Sequence, residues 1–193
     1  TTLTPGLLEV VRNNRNQGRK GIKAFEIARG YFSSKKPEAK DSDWPILSSL
    51  QRKPRHLTAK AYGETKRPRE RTFLSGILDQ PWTEKNWFNE QEIASFFHAK
   101  QVVNSLLGAF GTQNITWQKP EKMATELPFL HPGASCIVVA DNITLGYLGE
   151  VHPKVAFNYD LDDVIPVMFE LDLEAIFELL QNQKTNINAN IAK

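Results

Sequence analysis

The sequence predicts an α+β fold, a mainly antiparallel sheet flanked by helices, and three observations lead there. Strand-like runs outnumber helical ones. Each strand-like run is followed by a hairpin-type turn or an irregular loop, not by the regular crossover helix that parallel strands need. Two of the runs, 135–140 and 143–151, are joined only by Asp141-Asn142, a dipeptide suited to a two-residue turn with positive φ.

Taken in order, the first element reads as a helix. Thr4 is a good N-cap, and Pro5 suits the first helical position, where its missing N–H costs nothing. Leu3, Leu7, Leu8 and Val11 recur at helical spacing, Arg12, Arg15 and Asn16 lie opposite, and Gly18 marks the stop. A strand over 22–32 follows, whose alternation is read with Phe25 and Ile27 inward. Loop composition and Pro37, Pro45, Pro54 and Pro68 fill the next stretch, and 71–79 reads as a core strand. A second helix runs from about Phe97 to Phe110, with Val103, Leu106, Leu107 and Phe110 as its stripe and Gly111 as its stop. Its start is open between Asn89 and Ser95. A strand near Ile115, a Pro-bounded loop from Pro120 to Pro128, the hairpin and a strand over 164–171 come next. A short helix capped by Asp172 closes the fold, with Leu173, Ile176, Phe177 and Leu180 on one side. The expected organisation is one domain over 1–180, with an irregular basic insertion at about 33–70 and a polar linker or tail over 181–193.

At 193 residues the chain can bury one sizeable core and is short for two independent domains. Apolar residues at 40% and charged residues at 24% are ordinary globular composition, and no apolar run approaches the ~20 residues of a membrane span. The start shows no basic segment followed by an apolar one, so no secretory signal is visible, and the missing initiator Met points to a piece of something longer. One cysteine, Cys136, excludes an internal disulfide framework and a multi-cysteine zinc site. That fits a reducing, cytoplasmic home.

The net charge of +2 hides an uneven distribution. Residues 1–71 hold 17 Lys/Arg against 7 Asp/Glu, whereas 72–193 hold 7 against 15. No arginine follows Arg71 and no glycine follows Gly149. Arg52, Lys53, Arg55, Arg67, Arg69 and Arg71 form a basic stretch that reads either as a patch for a phosphate backbone or as a solvated, extended insertion.

Self-standing chemistry is thin. No two of His56, His98, His131 and His152 have the i,i+4 spacing of a helical zinc site. His131 and His152 each precede proline, so they are either a two-histidine site or two turns whose imidazoles bond to backbone. Cys136 lies in the most apolar strand, where an inert thiol is expected. Phosphate-loop, dinucleotide-fingerprint and nucleophile-elbow patterns are missing. Gly146 and Gly149 fit a bulge or close packing within a strand.

The ordered segments 3–14, Phe25-Glu26-Ile27-Ala28-Arg29, Leu74-Ser75-Gly76-Ile77-Leu78, 96–100, Phe129-Leu130-His131-Pro132-Gly133-Ala134-Ser135, 145–153 and Phe169-Glu170-Leu171-Asp172-Leu173 together resemble the synthetase-core-like domain of the β subunit of bacterial phenylalanyl-tRNA synthetase. The chain departs from the family pattern at His98, at Gln101 and at Asp79, where Asp, Gly and Gly are usual. The resemblance implies a class II synthetase core without its chemistry. A class II site needs a strand arginine on the ATP α-phosphate and a later arginine on the γ-phosphate, because adenylation concentrates charge there. Ala24 stands two before Glu26, at the first of those positions, and the missing distal glycines and arginines exclude the second.

By resemblance the partners are an α subunit carrying the active site, in an α₂β₂ enzyme that joins phenylalanine to its tRNA with ATP and magnesium. No catalytic residue, cofactor or metal is expected in this chain. The resemblance makes part of the first helix, at Leu7, Leu8 and Val11, a contact for the α subunit. Three functions therefore compete: a non-catalytic structural and subunit-interaction domain, a nucleic-acid-binding module using the basic N-terminal third, and a small hydrolase using His131 and His152.

Overall fold

The computed structural model describes residues 2–32, 69–120 and 127–191. Most of the expected basic insertion and of the Pro120–Pro128 loop therefore lies outside the described residues. In chain order the elements are α1 (Thr4–Asn16), β1 (Lys23–Phe32), β2 (Arg69–Leu78), α2 (Phe96–Ala109), β3 (Ile115–Gln118), β4 (Leu130–Ala140), β5 (Ile143–Val151), α3 (Pro153–Asn158), β6 (Val167–Asp172) and α4 (Leu173–Ile191). The strands form one sheet in the order β1-β2-β6-β5-β4-β3, every neighbouring pair antiparallel. The expected α+β class is what the chain adopts.

The turns follow the residues that favour them. Asp141 and Asn142 have φ of 46° and 63°, so the β4–β5 hairpin closes with the two left-handed residues that match strand twist. Gly18 and Gly111, with φ of 77° and 82°, end α1 and α2. The start of α2 is settled at Ser95: its N–H donates to His98 Nδ1 at 3.1 Å, and its Oγ lies 2.9 Å from the same nitrogen. His98 thus takes the carboxylate's place in a capping box, and its Nε2 lies 2.9 Å from Glu92 Oε1.

Two buried clusters fill the two faces of the sheet. On one, α2 and α4 bring Val103, Leu107, Ile176 and Leu179 onto Leu74, Val138, Leu148 and Phe169. On the other, Leu7, Leu8 and Val11 of α1 join Ile77, Leu130, Tyr147 and Met168. The far end of α1 is tied down by Arg15, whose Nε reaches the fully buried Asp79 at 2.9 Å and whose Nη1 reaches Asp163 at 2.9 Å. That pair accounts for an acid at position 79, because a buried carboxylate without a partner cation would be costly.

Several expectations are corrected. The helix begins at Thr4 with Leu3 as N-cap, because Thr4 turns its hydroxyl into the core, 3.4 Å from the Tyr147 hydroxyl. Phe25 and Ile27 point outward, 73% and 57% exposed. β1 is an edge strand of the sheet, α2 and α4 lie chiefly over β2, β5 and β6, and it is Ala24, Glu26 and Ala28 that lie on the α1 face. The polar segment expected as a linker after residue 180 continues α4 to Ile191, since no glycine or proline interrupts it. A six-residue α3, with His152 as N-cap and Pro153 in its first turn, lies where turns were expected.

Close packing explains the hairpin glycines. A Cβ on Gly146 would collide with the Glu170 carbonyl oxygen and lie 2.9 Å from Leu171 Cα, both on the neighbouring strand's backbone. Gly146→Ala is expected to cost about 3 kcal/mol in urea denaturation, because a strand has to move. Gly108→Ala, where nothing lies within 4 Å, is expected to raise stability by up to about 1 kcal/mol.

Candidate functional site

One row of side chains crosses the middle of the sheet on the α1 face: Glu26 on β1, Ser75 on β2, Glu170 on β6 and Tyr147 on β5, each opposite the next. This is the row that carries Glu26, the family-pattern residue, and Ala24 lies beside it opposite Ile77. The row's three inner members are covered by the chain itself, while Glu26 stays exposed at the edge. The Leu3 N–H and the Thr2 hydroxyl both donate to Glu170 Oε2 at 2.9 Å, and the Thr2 and Thr4 hydroxyls lie 3.2 and 3.4 Å from that of Tyr147. A Cβ on Gly6 would come 3.7 Å from Glu26 Oε2, so the first turn of α1 also lies against the edge of the row.

Glu170 and Tyr147 are buried. Burial pushes the Glu170 carboxyl above its ordinary value, opposed by the Leu3 N–H and the Thr2 and Tyr147 hydroxyls. Burial, then the Glu170 charge, raises Tyr147 well above its own. Sequence reasoning missed both as a pair. The available signal was an acid inside Phe169-Glu170-Leu171, a run otherwise apolar enough to be buried on both faces.

At the mouth of α4 a second acid does capping work. Asp172 Oδ1 accepts the N–H groups of Glu174 and Ala175 at 3.0 and 3.1 Å, as expected of the residue before that helix. Arg71 Nε lies 2.8 Å from Asp172 Oδ2 and 3.6 Å from Glu174 Oε2. Burial raises the Asp172 carboxyl, with the Ala175 N–H and the Arg71 guanidinium pulling the other way.

The predicted site residues are placed as follows. Leu7, Leu8 and Val11 are 3%, 1% and 0% exposed, so their side chains belong to the chain's own core and offer no contact to another subunit. Arg71 is paired within the fold. Arg52, Lys53, Arg55 and Arg67 lie outside the described residues, and of Arg69 only the backbone, in β2, is described. His131 Nδ1 accepts the Gly133 N–H at 3.1 Å and His152 Nδ1 accepts the Lys154 N–H at 3.2 Å. Each ring thus serves its own turn, and no hydrogen bond joins the two. Burial pushes the Cys136 thiol up to about 11, with Lys100 opposing, which leaves it inert.

The buried carboxylate makes a pH-dependent prediction. A folded-state value above the ordinary one means that the native chain holds this proton more tightly than the unfolded chain does. The stability it contributes is therefore present at low pH and lost as pH rises through the folded value. Glu170→Gln keeps an acceptor for Leu3 and Thr2 and removes the buried charge. Thermal melts are expected to show the variant a few degrees more stable than the parent near neutral pH, with the gap closing in acid.

The family model for the phenylalanyl tRNA synthetase beta chain CLM domain matches residues 1–173. The chain is 27% identical over 184 residues to the phenylalanine–tRNA ligase beta subunit of Carboxydothermus hydrogenoformans, covering 95% of this chain and 19% of that protein. It is 29% identical over 176 residues to the same subunit of Geobacter sulfurreducens, covering 91% and 18%. The chain therefore spans about a fifth of the length of these curated relatives. Among solved structures, pyrrolysyl-tRNA synthetase from Desulfitobacterium hafniense superposes with a TM-score of 0.56 at 14% identity, over 94% of this chain and 49% of that one. That likeness concerns the fold alone, one that an aminoacyl-tRNA synthetase also uses. The chain belongs to the family of the phenylalanyl-tRNA synthetase beta chain CLM domain.

Proposed function

We propose that this chain is the non-catalytic, structural and subunit-interaction domain of a phenylalanine–tRNA ligase β subunit, acting beside an α subunit that carries out the ATP-dependent attachment of phenylalanine to tRNA. One observation carries the reading: the inner part of that sheet row, Ser75, Glu170 and Tyr147, is roofed by the start of the chain's own helix α1, with the Leu3 N–H bound to Glu170. A substrate cannot lie over Ser75, Glu170 and Tyr147 while α1 does. The residues present also do not fit an ATP–magnesium site. Ala24 supplies no cation for a phosphate, no arginine follows Arg71, and Arg71 is paired with Asp172. Among the described residues no three His, Cys, Asp or Glu side chains are placed to share a metal ion. A class II core retained as a scaffold accounts for these features together.

The same reading keeps this domain in the compartment of protein synthesis, the cytoplasm, and no described helix is long and apolar enough to cross a membrane. It expects the chain alone to give no phenylalanine-dependent pyrophosphate exchange above a heat-inactivated control. Exchange above that level would overturn it.

The α1 contribution to assembly has to come from its outward side, where Val10 is 40% exposed beside the exposed Glu9 and Asn13. Leu7→Asp and Val11→Asp are expected to unfold the domain, since an unpaired charge in the core costs several kcal/mol. Val10→Asp is expected to keep the native circular dichroism and melt while weakening co-purification with the cognate α subunit at least tenfold. Unchanged co-purification would remove α1 from the subunit contact.

A further inference from the structure

We propose that the hairpin ahead of α2 is an interaction surface, and that its occupant is another domain of the β subunit, one offering an apolar pocket rimmed by lysine and arginine. The inference deepens the reading above and rests on this chain being one domain of such a subunit. Between positions 87 and 97 four large apolar side chains stand in water: Trp87 at 93%, Phe88 at 67%, Ile93 at 59% and Phe97 at 73%. Single exposed apolar residues are ordinary, whereas a run of this size marks a contact.

A fastened turn, not a slack loop, holds these rings out. Trp82 donates its N–H to the Glu92 carbonyl at 2.8 Å, and Thr83 and Glu92 exchange backbone bonds of 3.4 and 3.2 Å, which closes the hairpin at its base. That base is tied to α2. The Trp82 ring packs on His98 with centroids 4.8 Å apart, His98 Nε2 lies 2.9 Å from Glu92 Oε1, and Ala94 is buried. At the tip the Asn86 side-chain oxygen accepts the Phe88 and Asn89 N–H groups at 3.1 and 2.9 Å, and the Asn86 N–H donates to the Asn89 carbonyl at 3.0 Å. Trp87 and Phe88 lie edge to face, their ring centres 4.6 Å apart. Side chains already held in place lose little freedom on docking, and a tryptophan seated in a pocket concentrates binding energy.

Charge narrows the occupant. Residues 83–92 carry Glu84, Glu90 and Glu92 against Lys85, and Lys85 is itself paired with Glu90 at 2.8 Å. Exposed rings can stack on nucleic-acid bases, but this acidic surround repels a phosphate backbone. Two copies of the hairpin set tip to tip would oppose the same carboxylates, which disfavours a second copy of this chain. A protein pocket with an apolar floor and a cationic rim fits both features. This chain spans about a fifth of the curated β subunits that it matches, so such a subunit holds much further surface on one polypeptide. A domain joined covalently meets the hairpin at an effective concentration of about millimolar, before a separate subunit arrives. That ranks it ahead of the α subunit.

The experiment is hydroxyl-radical footprinting, read by mass spectrometry, on the 193-residue chain, the β subunit alone and the β subunit with its α subunit. Trp87 and Phe88 are expected to oxidise at least tenfold more slowly in the β subunit alone than in the 193-residue chain, with no further protection from the α subunit. The double reversal Glu84→Lys with Glu90→Lys is expected to remove most of that protection at low salt and to leave the circular dichroism native, since both side chains are at the surface. Equal oxidation in the first two samples would overturn the proposal. So would protection that appears only with the α subunit, which would make that subunit the occupant, or protection that the charge reversal leaves intact. The reading of the domain as a non-catalytic part of the ligase stands or falls on the pyrophosphate-exchange assay, which none of these outcomes touches.

Discussion

A carboxylate in the middle of the sheet holds the start of a helix. Glu170 accepts the Leu3 amide and the Thr2 hydroxyl on one oxygen, and that contact decides where α1 begins and how it lies. Leu3 has no side-chain cap to offer, so the helix takes its terminating acceptor from β6, 167 residues later in the chain. With that end held and Arg15 anchored on Asp79 at the other, the stripe of Leu7, Leu8 and Val11 has one way to face. It seals Ile77, Tyr147 and Met168 from water. A negative end group at a helix N-terminus is also electrostatically favourable, which offsets part of the cost of burying the acid.

The consequence reaches function. In a sheet of this kind one face can be left open for a substrate or closed by packing, and here the chain closes it with its own first helix. The polar residues Ser75, Glu170 and Tyr147 survive beneath, with Glu26 exposed at the end of their row. Its members serve the fold: Ser75 donates to the Phe169 carbonyl, and Glu170 and Tyr147 organise the Thr2–Thr4 turn. The opposite face, covered by α2 and α4, stops short of β1, and the exposed Phe25 and Ile27 are the result.

Local signals were legible where chemistry within a few residues decides the outcome. Asp141-Asn142 makes its hairpin because both residues tolerate positive φ, Gly18 and Gly111 end their helices for the same reason, and Asp172 caps α4 because a carboxylate meets two free amides there. The helical stripes of α1 and α2 were readable too, since apolar spacing is a property of the segment. The departures came where an equally good local answer existed. Thr4 is a sound cap by composition, yet a hydroxyl on Tyr147 claimed it. Gln181 onward is polar, yet a helix already running needs a breaker to stop it.

What the sequence by itself determined is most of the elements, the antiparallel class, the family resemblance carried by short ordered segments, and the absence of any arginine after Arg71. Each of these depends on neighbours in the chain or on residues being present or missing. Only the tertiary structure decided which face of β1 is wet, that Leu7, Leu8 and Val11 are core, that Arg71 is held by Asp172, and that Glu170 lies under Leu3. Alternation along a strand states that two faces differ, but not which of them a distant helix will cover. That choice belongs to residues more than a hundred positions apart, and it is made when burying α1 against the sheet removes more apolar surface from water than leaving it free.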